Sequence, residues 1–358
     1  MGIISNTYSN LTSVTDASLY IGNWDQFVLN STYPKIWSWC NAQGAVVDNF
    51  SWSMTDEHDP SFTSLDYEID WYIKNYPYPL IVTIAGNRQY YCENKTRNGL
   101  VVGGSYDHDT LSTGDDTMYP GSGWQNPNTA HNDYELPHLV APAVHIDSAD
   151  LSDTGTSFAA PQVSAAAMLL ASRDSNFAGW PEEMRAVLMA TALTNIDGSA
   201  FSNLPSADMK DGVGRIDDGY AMSLADPANS VSINNSARAN GRSHVNLHLD
   251  SDFTNGWYNG VWNIQAAQSG RTRVIATWDA TASCSSPDGG NCTESIDADL
   301  DLHVYNSSGD IVCSSTSYDS TWEGCDFAVT AGSTYVVKVY QVSRNVDFTY
   351  FALAWFGY

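Results

Sequence analysis

The chain has 358 residues, of which 43% are hydrophobic and 16% charged, and this length predicts about two domains with a sizeable core. The 41 acidic residues against 15 Lys and Arg give a formal net charge of −26. This charge excludes nucleic acid as a partner, because binding it requires clustered basic residues, and it indicates a well-solvated surface with carboxylates available for calcium or high salt.

The first 226 residues alternate between strand-like and helix-like segments. Residues 44–53 form a short apolar run that predicts a strand. Residues 63–77 place apolar side chains on one helical face, and Pro77 ends that helix. The next segments are buried strands at 79–87 and 99–105, turns at 106–136, an apolar segment at 138–146, and helices after Ser157 and at 181–193. This order predicts an α/β fold over residues 1–226, with helices on both faces of a parallel sheet.

After about Ala225 the pattern changes. Residues 226–243 are polar and turn-rich, as is typical of a linker. From Val245 onward short alternating segments predict strands with turns between them, at 272–280, 297–306, 333–342 and 348–358. The sequence therefore predicts a second, all-β domain over residues 227–358, a β-sandwich or jelly roll.

Cysteine usage and hydropathy favour an extracellular protein. Four late cysteines are spaced as short loops that disulfides commonly close, at Cys284 and Cys292 and at Cys313 and Cys325. Cys40 and Cys92 are either a third pair or two buried thiols. No apolar run reaches the roughly 18 residues of a membrane span, so no membrane partner is expected. The first residues lack a signal-peptide pattern. We therefore expect a secreted protein whose export signal is not visible in this chain.

The segment SIDADLDLHVY (295–305) carries three alternating carboxylates. On a strand, Asp297, Asp299 and Asp301 would share one face. Such neighbours repel one another unless a cation or solvent screens them. The segment is therefore either a structural Ca²⁺ site with oxygen ligands or a wet edge, and the sequence leaves both open.

The stretch DTGTSFAAPQVSAAAMLL (153–170) places a serine at the start of a buried helix. There a hydroxyl gains from free backbone N–H groups and from the positive end of the helix dipole, although Ser157 would also suit a simple N-cap. The string from Gly155 to Pro161 resembles the Gly-Thr-Ser-x-Ala-x-Pro nucleophile motif of the subtilisin-like serine proteases (subtilases). The resemblance implies that Ser157 is the catalytic nucleophile.

Two further stretches extend the resemblance, which covers about residues 16–226. IVTIAGN (81–87) is similar to the family strand whose final Asn donates to the oxyanion, and its distance from the serine, 157 − 87 = 70 residues, is similar too. VVDNFSWS (46–53) resembles the strand that pairs with the substrate. The resemblance implies Asn87 in the oxyanion hole and a substrate cleft lined by Ser51, Trp52, Ser53, Gly86, Gly155 and Thr156.

The other two members of a subtilase triad have no counterpart in the sequence. The family requires an Asp and then a His before the Ser, and residues 15–24 already resemble the family segment located after the His helix. His58 precedes Asn87 and lies ten residues after Asp48, but neither is in the family's motif.

We therefore expect a secreted serine endopeptidase acting on peptides or proteins without a catalytic cofactor. Its Asp and His would come from a missing N-terminal segment or a complementing chain. The alternative is a catalytically inactive extracellular binding protein on the same scaffold.

Overall fold

The computed structural model describes residues 18, 33–53, 59–75, 78–110, 112–148, 151–197, 203–204, 210–285 and 291–358. The helices within these ranges are α1 (Tyr33–Ala42), α2 (Ser64–Asn75), α3 (Thr156–Arg173), α4 (Pro181–Thr191) and α5 (Asp218–Leu224). Short 3₁₀ turns lie at Ser175–Gly179 and Pro227–Asn229.

The described strands fall into two groups along the chain. The first group is β1 (Val47–Phe50), β2 (Leu80–Ile84), β3 (Tyr90–Tyr91), β4 (Leu100–Tyr106), β5 (Thr117–Met118), β6 (Gly123–Gln125), β7 (Leu139–Pro142), β8 (Ile146–Ser148), β9 (Leu151–Asp153) and β10 (Asn203–Leu204). The second group is β11 (Gly241–His248), β12 (Phe253–Thr254), β13 (Trp257–Tyr258), β14 (Trp262–Gln265), β15 (Gly270–Trp278), β16 (Thr281–Ser283), β17 (Thr293–Ser295), β18 (Ala298–Asn306), β19 (Ile311–Ser315), β20 (Trp322–Val329), β21 (Thr334–Arg344) and β22 (Phe348–Gly357).

The first part of the chain contains the predicted parallel sheet. Strands β1, β2, β4 and β7 pair in that order in parallel, and β5 adds an antiparallel pairing at the end of β4. Because these strands run in the same direction, their carboxyl ends lie at the same edge of the sheet. That edge brings residues 51–53, which come after β1, close to residues 85–87, which come after β2.

Helices cover both faces of this sheet, as the sequence predicts. Leu80, Val82 and Ile84 of β2 belong to one apolar cluster with the alanine-rich side of α3. Ile81, between them, points the other way into a cluster formed mainly by α1 and α2. Both faces of β2 are therefore buried, which explains why its sequence is a continuous β-branched run.

The later strands form two antiparallel sheets that enclose an all-β core. One sheet has the order β10-β20-β15-β22-β11, and the other has the order β12-β13-β21-β18-β19 with β14 paired to β21. Four of the largest buried side chains belong to these sheets, Trp262, Trp278, Trp322 and Trp355. The predicted β-rich fold of this part of the chain is therefore confirmed.

The first of these two sheets is buried on both faces. Val274 of β15 points into the all-β core, whereas Ile275 joins the same apolar cluster as β2 and α3. All eleven residues of α4 are buried, and the helix packs on β15 and β22. Strand β10 also precedes residue 226, yet it pairs with β20. The division into domains at residues 226 and 227 stays a prediction.

Two disulfides join the late cysteines, Cys284 to Cys292 and Cys313 to Cys325. Cys40 and Cys92 are buried free thiols, so the second of the two alternatives holds for them. Among the described residues, no helix is both long and apolar enough to cross a membrane.

Candidate active site

Ser157 is the second residue of α3, which begins where the chain leaves the β9 hairpin. Gly155 occupies the N-cap position and, having no side chain, provides no cap hydrogen bond, so Ser157 is not the N-cap of this helix. The Gly155 backbone, at φ +156°, donates its N–H to the carbonyl of Ala143 at 2.7 Å. In the first turn of a helix the backbone N–H groups lack intrahelical acceptors, which leaves the Ser157 N–H without one.

A reciprocal pair of hydrogen bonds fixes Ser157 against the end of β1. The Ser157 hydroxyl donates to the carbonyl of Ser51 at 3.3 Å, and the Ser51 hydroxyl donates to the carbonyl of Ser157 at 3.3 Å. The Ser157 carbonyl accepts no helical bond from four residues on, because that residue is Pro161, which has no N–H. Pro161 therefore makes the Ser157 carbonyl available to Ser51.

The Asn87 side chain is oriented by Thr156. Its Oδ1 accepts the Thr156 backbone N–H at 2.7 Å and the Thr156 hydroxyl at 3.0 Å. A backbone N–H can only donate, so the atom facing it must be the amide oxygen, and the N–H₂ group is directed elsewhere. Asn87 is an exposed residue at the edge where β1 and β2 end. A Cβ on Gly155 would lie 3.1 Å from Asn87 Oδ1, so this close approach favours glycine.

The predicted cleft residues lie along the two strand ends beside Ser157. Trp52 is 37% exposed, and Ser53 donates its hydroxyl to the Glu93 carbonyl at 3.5 Å. Gly86, at φ +99°, carries the chain from β2 into Asn87. Ser51, Asn87 and Ser157 are thus brought to one edge from segments far apart in the sequence.

The sequence prediction missed two residues of this edge, Glu93 and Asn94. The fully buried Asn94 amide donates to the carbonyls of Trp52 and Ile84, each at 3.0 Å, and so ties the ends of β1 and β2 together. Glu93 Oε1 accepts the Asn87 backbone N–H at 3.2 Å. Only their place on the connection from β2 to β4 could have indicated them.

Within the part of the chain that the structure describes, no histidine hydrogen-bonds the Ser157 hydroxyl. His138 is fully buried, its Nδ1 accepts the Val101 N–H at 2.9 Å, and burial holds the pKa of its imidazole well below the usual value. His131 and His145 instead pair with Asp319 and Asp109. His58 lies outside the described residues.

Ala298, Leu300 and Leu302 point into the all-β core, so Asp299 and Asp301 lie on the opposite face of β18. Asp297 precedes the strand and accepts the Ser295 hydroxyl at 2.8 Å. Burial, then the charges of Asp301 and Asp133, raise the pKa of Asp299 to about 7. No three His, Cys, Asp or Glu side chains of the described residues are grouped to hold a metal ion. The calcium site stays a prediction.

Solved structures share parts of the chain at low similarity. The patellamide maturation protease PatA is 22% identical over 54% of this chain and 67% of its own, with a TM-score of 0.40. The epidermin leader peptide processing serine protease of Staphylococcus aureus is 16% identical over 52% of each chain, with a TM-score of 0.37. The pre-peptidase C-terminal domain of a collagenase from Bacillus anthracis is 9% identical over 36% of this chain and 92% of its own, with a TM-score of 0.24.

The family comparison is more informative than these distant likenesses. No curated protein sequence gives a significant match. Residues 3–243, well over half of the chain, match the Subtilase family, peptidase S8. This match agrees with the motif around Ser157 and with the parallel sheet that positions it. The chain therefore belongs to the subtilase family of serine proteases.

Proposed function

We propose that this chain acts in a secreted serine endopeptidase in which Ser157 attacks the scissile carbonyl and forms an acyl-enzyme. The observation that carries the proposal is the placement of the Ser157 hydroxyl at the start of α3 beside an amide, Asn87, whose oxygen is held by Thr156. The oxyanion of the tetrahedral intermediate would accept hydrogen bonds from the Asn87 amide and the Ser157 backbone N–H. Collapse of that intermediate would break the peptide C–N bond, release the amine half of the substrate and leave the acyl-enzyme, which water would then hydrolyse to release the carboxylate half.

The family implies a peptide or protein substrate. We propose that the substrate adds as a strand beside residues 51–53, which come after β1, the edge strand of this sheet among the described residues. Gly86, Gly155 and Thr156 would border the same cleft. Action outside the cell is part of the proposal, and the two disulfides that close short loops support it, because such bonds persist in oxidising surroundings.

The nucleophile also needs a general base, because a serine hydroxyl is a weak nucleophile at neutral pH. We propose that the Asp and His come from residues outside the described part or from a complementing chain. The second candidate function is an inactive extracellular binding protein on this scaffold. One observation favours this second function. Among the described residues, the Ser157 hydroxyl has only the Ser51 carbonyl as a hydrogen-bond partner, and a carbonyl cannot act as its general base.

A fluorophosphonate probe separates the two functions, because it labels a serine only when a base activates it. We expect the full chain to be labelled at Ser157, as located by peptide mapping. Ser157→Ala should abolish labelling, whereas Ser172→Ala, at an exposed serine of the same helix, should leave it unchanged. A chain that remains unlabelled at Ser157 would contradict an endopeptidase formed by this chain alone, and a lack of labelling also in the presence of a chain carrying the Asp and His would support the binding protein.

A further inference from the structure

Two carboxyl groups are buried where α4 packs on the end of β15. Glu182 lies in the first turn of α4 and Asp279 directly follows β15, and the two residues are 1% and 2% exposed. The Thr277 hydroxyl donates to the Glu182 backbone carbonyl at 2.8 Å, which holds this end of the helix against the strand. Each carboxyl group perturbs the pKa of the other, so the two are direct neighbours across the junction.

The oxygens of this carboxyl pair have few partners. Among the described residues, Oε1 of Glu182 and both side-chain oxygens of Asp279 accept no hydrogen bond. A buried oxygen without a donor costs free energy, and an ionised one costs more. The cation that approaches the pair is Arg185, one helical turn after Glu182, whose guanidinium nitrogen lies 3.7 Å from Asp279 Oδ1.

The Arg185 guanidinium uses its donors mainly on other groups. It donates to the carbonyl of Asn98 at 3.0 Å and to that of Trp278 at 3.5 Å. It also donates to the Thr321 hydroxyl at 3.4 Å. These contacts fix the guanidinium in place, and its single positive charge matches only one of the two carboxylates.

The other charged groups around the pair do not supply a second positive charge. From α2, the charge of Lys74 lowers the pKa of the Asp279 carboxyl and that of Asp70 raises it, so the two act in opposite directions. From β22, the Tyr350 phenol stays neutral, because its hydrogen bond with Tyr78 and then burial raise its pKa to about 12. The other buried acids of this junction have their own arginines, Glu183 with Arg242 and Glu294 with Arg97.

One proton would complete this arrangement. Protonated Glu182 could donate its O–H to Asp279, which leaves one negative charge opposite Arg185. Burial, and then the charge of Asp279, hold the pKa of the Glu182 carboxyl well above its ordinary value of 4.5, and burial also raises the pKa of Asp279. Without the proton, two like charges would face each other in a buried contact, and attraction would become repulsion.

We propose that Glu182 and Asp279 form a pH-sensitive latch between the α/β part and the all-β part, closed by one shared proton and released when that proton is lost. The closed latch keeps a proton that an unfolded glutamate loses above its ordinary pKa of 4.5. Its contribution to stability is therefore complete below pH 4.5 and declines as pH rises above it. Acidic surroundings keep α4 on β15, and alkaline surroundings favour local separation of the two elements.

Amide hydrogen exchange of the full chain tests the release directly. Protection of the α4 amides would be followed from about pH 5 to about pH 9 and corrected for the intrinsic effect of pH on exchange. The amides of β18, within the all-β core, provide the internal reference. We expect α4 protection to fall by about tenfold or more relative to β18, because each pKa unit of the shared proton changes the opening equilibrium about tenfold.

Glu182→Gln is the matched variant, because its amide N–H₂ can donate to Asp279 at every pH. It should limit the change in relative α4 protection to within about threefold. It should also remove one protonated-carboxyl C=O stretching band from the infrared spectrum at pH 7. Asp250→Asn removes an exposed carboxylate of the all-β part and should retain both the fall in protection and the band.

Three results would overturn the latch. They are α4 protection that parallels β18 at every pH, the same fall in the Glu182→Gln chain, and an infrared spectrum that this substitution leaves unchanged. A fourth comparison separates a proton from a bound cation. If sodium chloride restores α4 protection at pH 9 and an equal concentration of N-methylglucamine chloride does not, a monovalent cation rather than a proton closes the contact. None of these measurements depends on whether Ser157 is active.

Discussion

Ser157 and Asn87 are 70 residues apart in the sequence, and the Thr156 backbone links them in space. Thr156 is fully buried and uses both its N–H and its hydroxyl to hold the amide oxygen. In the proposed oxyanion hole, an amide held in this way would be preorganised and would stabilise a developing negative charge more effectively than a freely rotating donor. The orientation of the Asn87 amide thus decides whether the proposed site has a side-chain donor for the oxyanion.

Asn87→Ala is expected to lower kcat of the active enzyme by about 10²–10³-fold with little change in KM, the size known for loss of one such donor in serine proteases of this family. The effect falls on kcat because the lost hydrogen bond forms mainly in the transition state. Steady-state kinetics on a peptide amide would measure it. Thr156→Ser keeps both donors to the amide oxygen and serves as the control. A rise in KM at constant kcat would show instead that Asn87 binds the ground state.

Helix α4 and strand β11 show how the two parts of the chain are joined at the level of elements. The buried guanidinium of Arg242 in β11 donates to Glu183 of α4 at 2.6 Å and also pairs with Asp174. It further donates to the carbonyls of Leu224 and Ala225. One cation thus compensates two carboxylates that are largely removed from water. Removing it would leave Asp174 and Glu183 without their buried cation, and Glu183 would keep only its contact with His244 Nδ1 at 2.7 Å.

Arg242→Leu is therefore expected to reduce the free energy of unfolding by about 3–5 kcal/mol, measured by urea denaturation. Arg344→Leu is the control. Arg344 pairs with the exposed carboxylate of Asp347, and such an ion pair should contribute less than about 1 kcal/mol to the free energy of unfolding. Adding Glu183→Gln to Arg242→Leu should recover part of the loss. Equal losses in the two arginine variants would show that the buried network does not hold α4 to β11.

Across the whole molecule, acidity and burial act together. The formal net charge is −26, and several carboxyl groups are buried. Burial raises the pKa of Asp48 to about 7 and that of Asp211 to about 6, both from an ordinary value of 3.8. Between pH 3.8 and about 7, the folded protein binds more protons than the unfolded chain. Its stability therefore falls as pH rises through this range. Repulsion among the surface carboxylates changes stability in the same direction.

The free energy of unfolding should consequently decrease as pH rises from about 4 to about 7, as urea titrations at a series of pH values would show. Asp48→Asn should flatten this slope and stabilise the protein above pH 7 by on the order of 2–4 kcal/mol, since each pKa unit corresponds to about 1.4 kcal/mol. Asp250→Asn, an exposed carboxylate, is the control. A slope unchanged by Asp48→Asn would mean that other groups carry the dependence.

Local sequence patterns were enough for most elements of the fold. The β-branched run at 79–87 became β2, and the apolar face of 63–77 became α2, because burial of a strand or of one helical face imposes a period on the residues. The motif around Ser157 likewise indicated a helix start with a serine in its first turn. The extra residue that β21 carries opposite Asp299 and Leu300 was not visible, because register depends on the partner strand.

The sequence by itself determined the family and the alternation of elements, and it pointed to Ser157 as the proposed nucleophile, since these depend on residues that are neighbours along the chain. Only the tertiary structure decided that Thr156 orients Asn87, that Pro161 leaves the Ser157 carbonyl for Ser51, and that Glu93 lies against Gly86. Each of these contacts joins segments whose meeting depends on how the parallel strands are ordered. The periodicity of apolar residues along one segment carries no information about the order of the strands. The strand ends come together only once the sheet has formed.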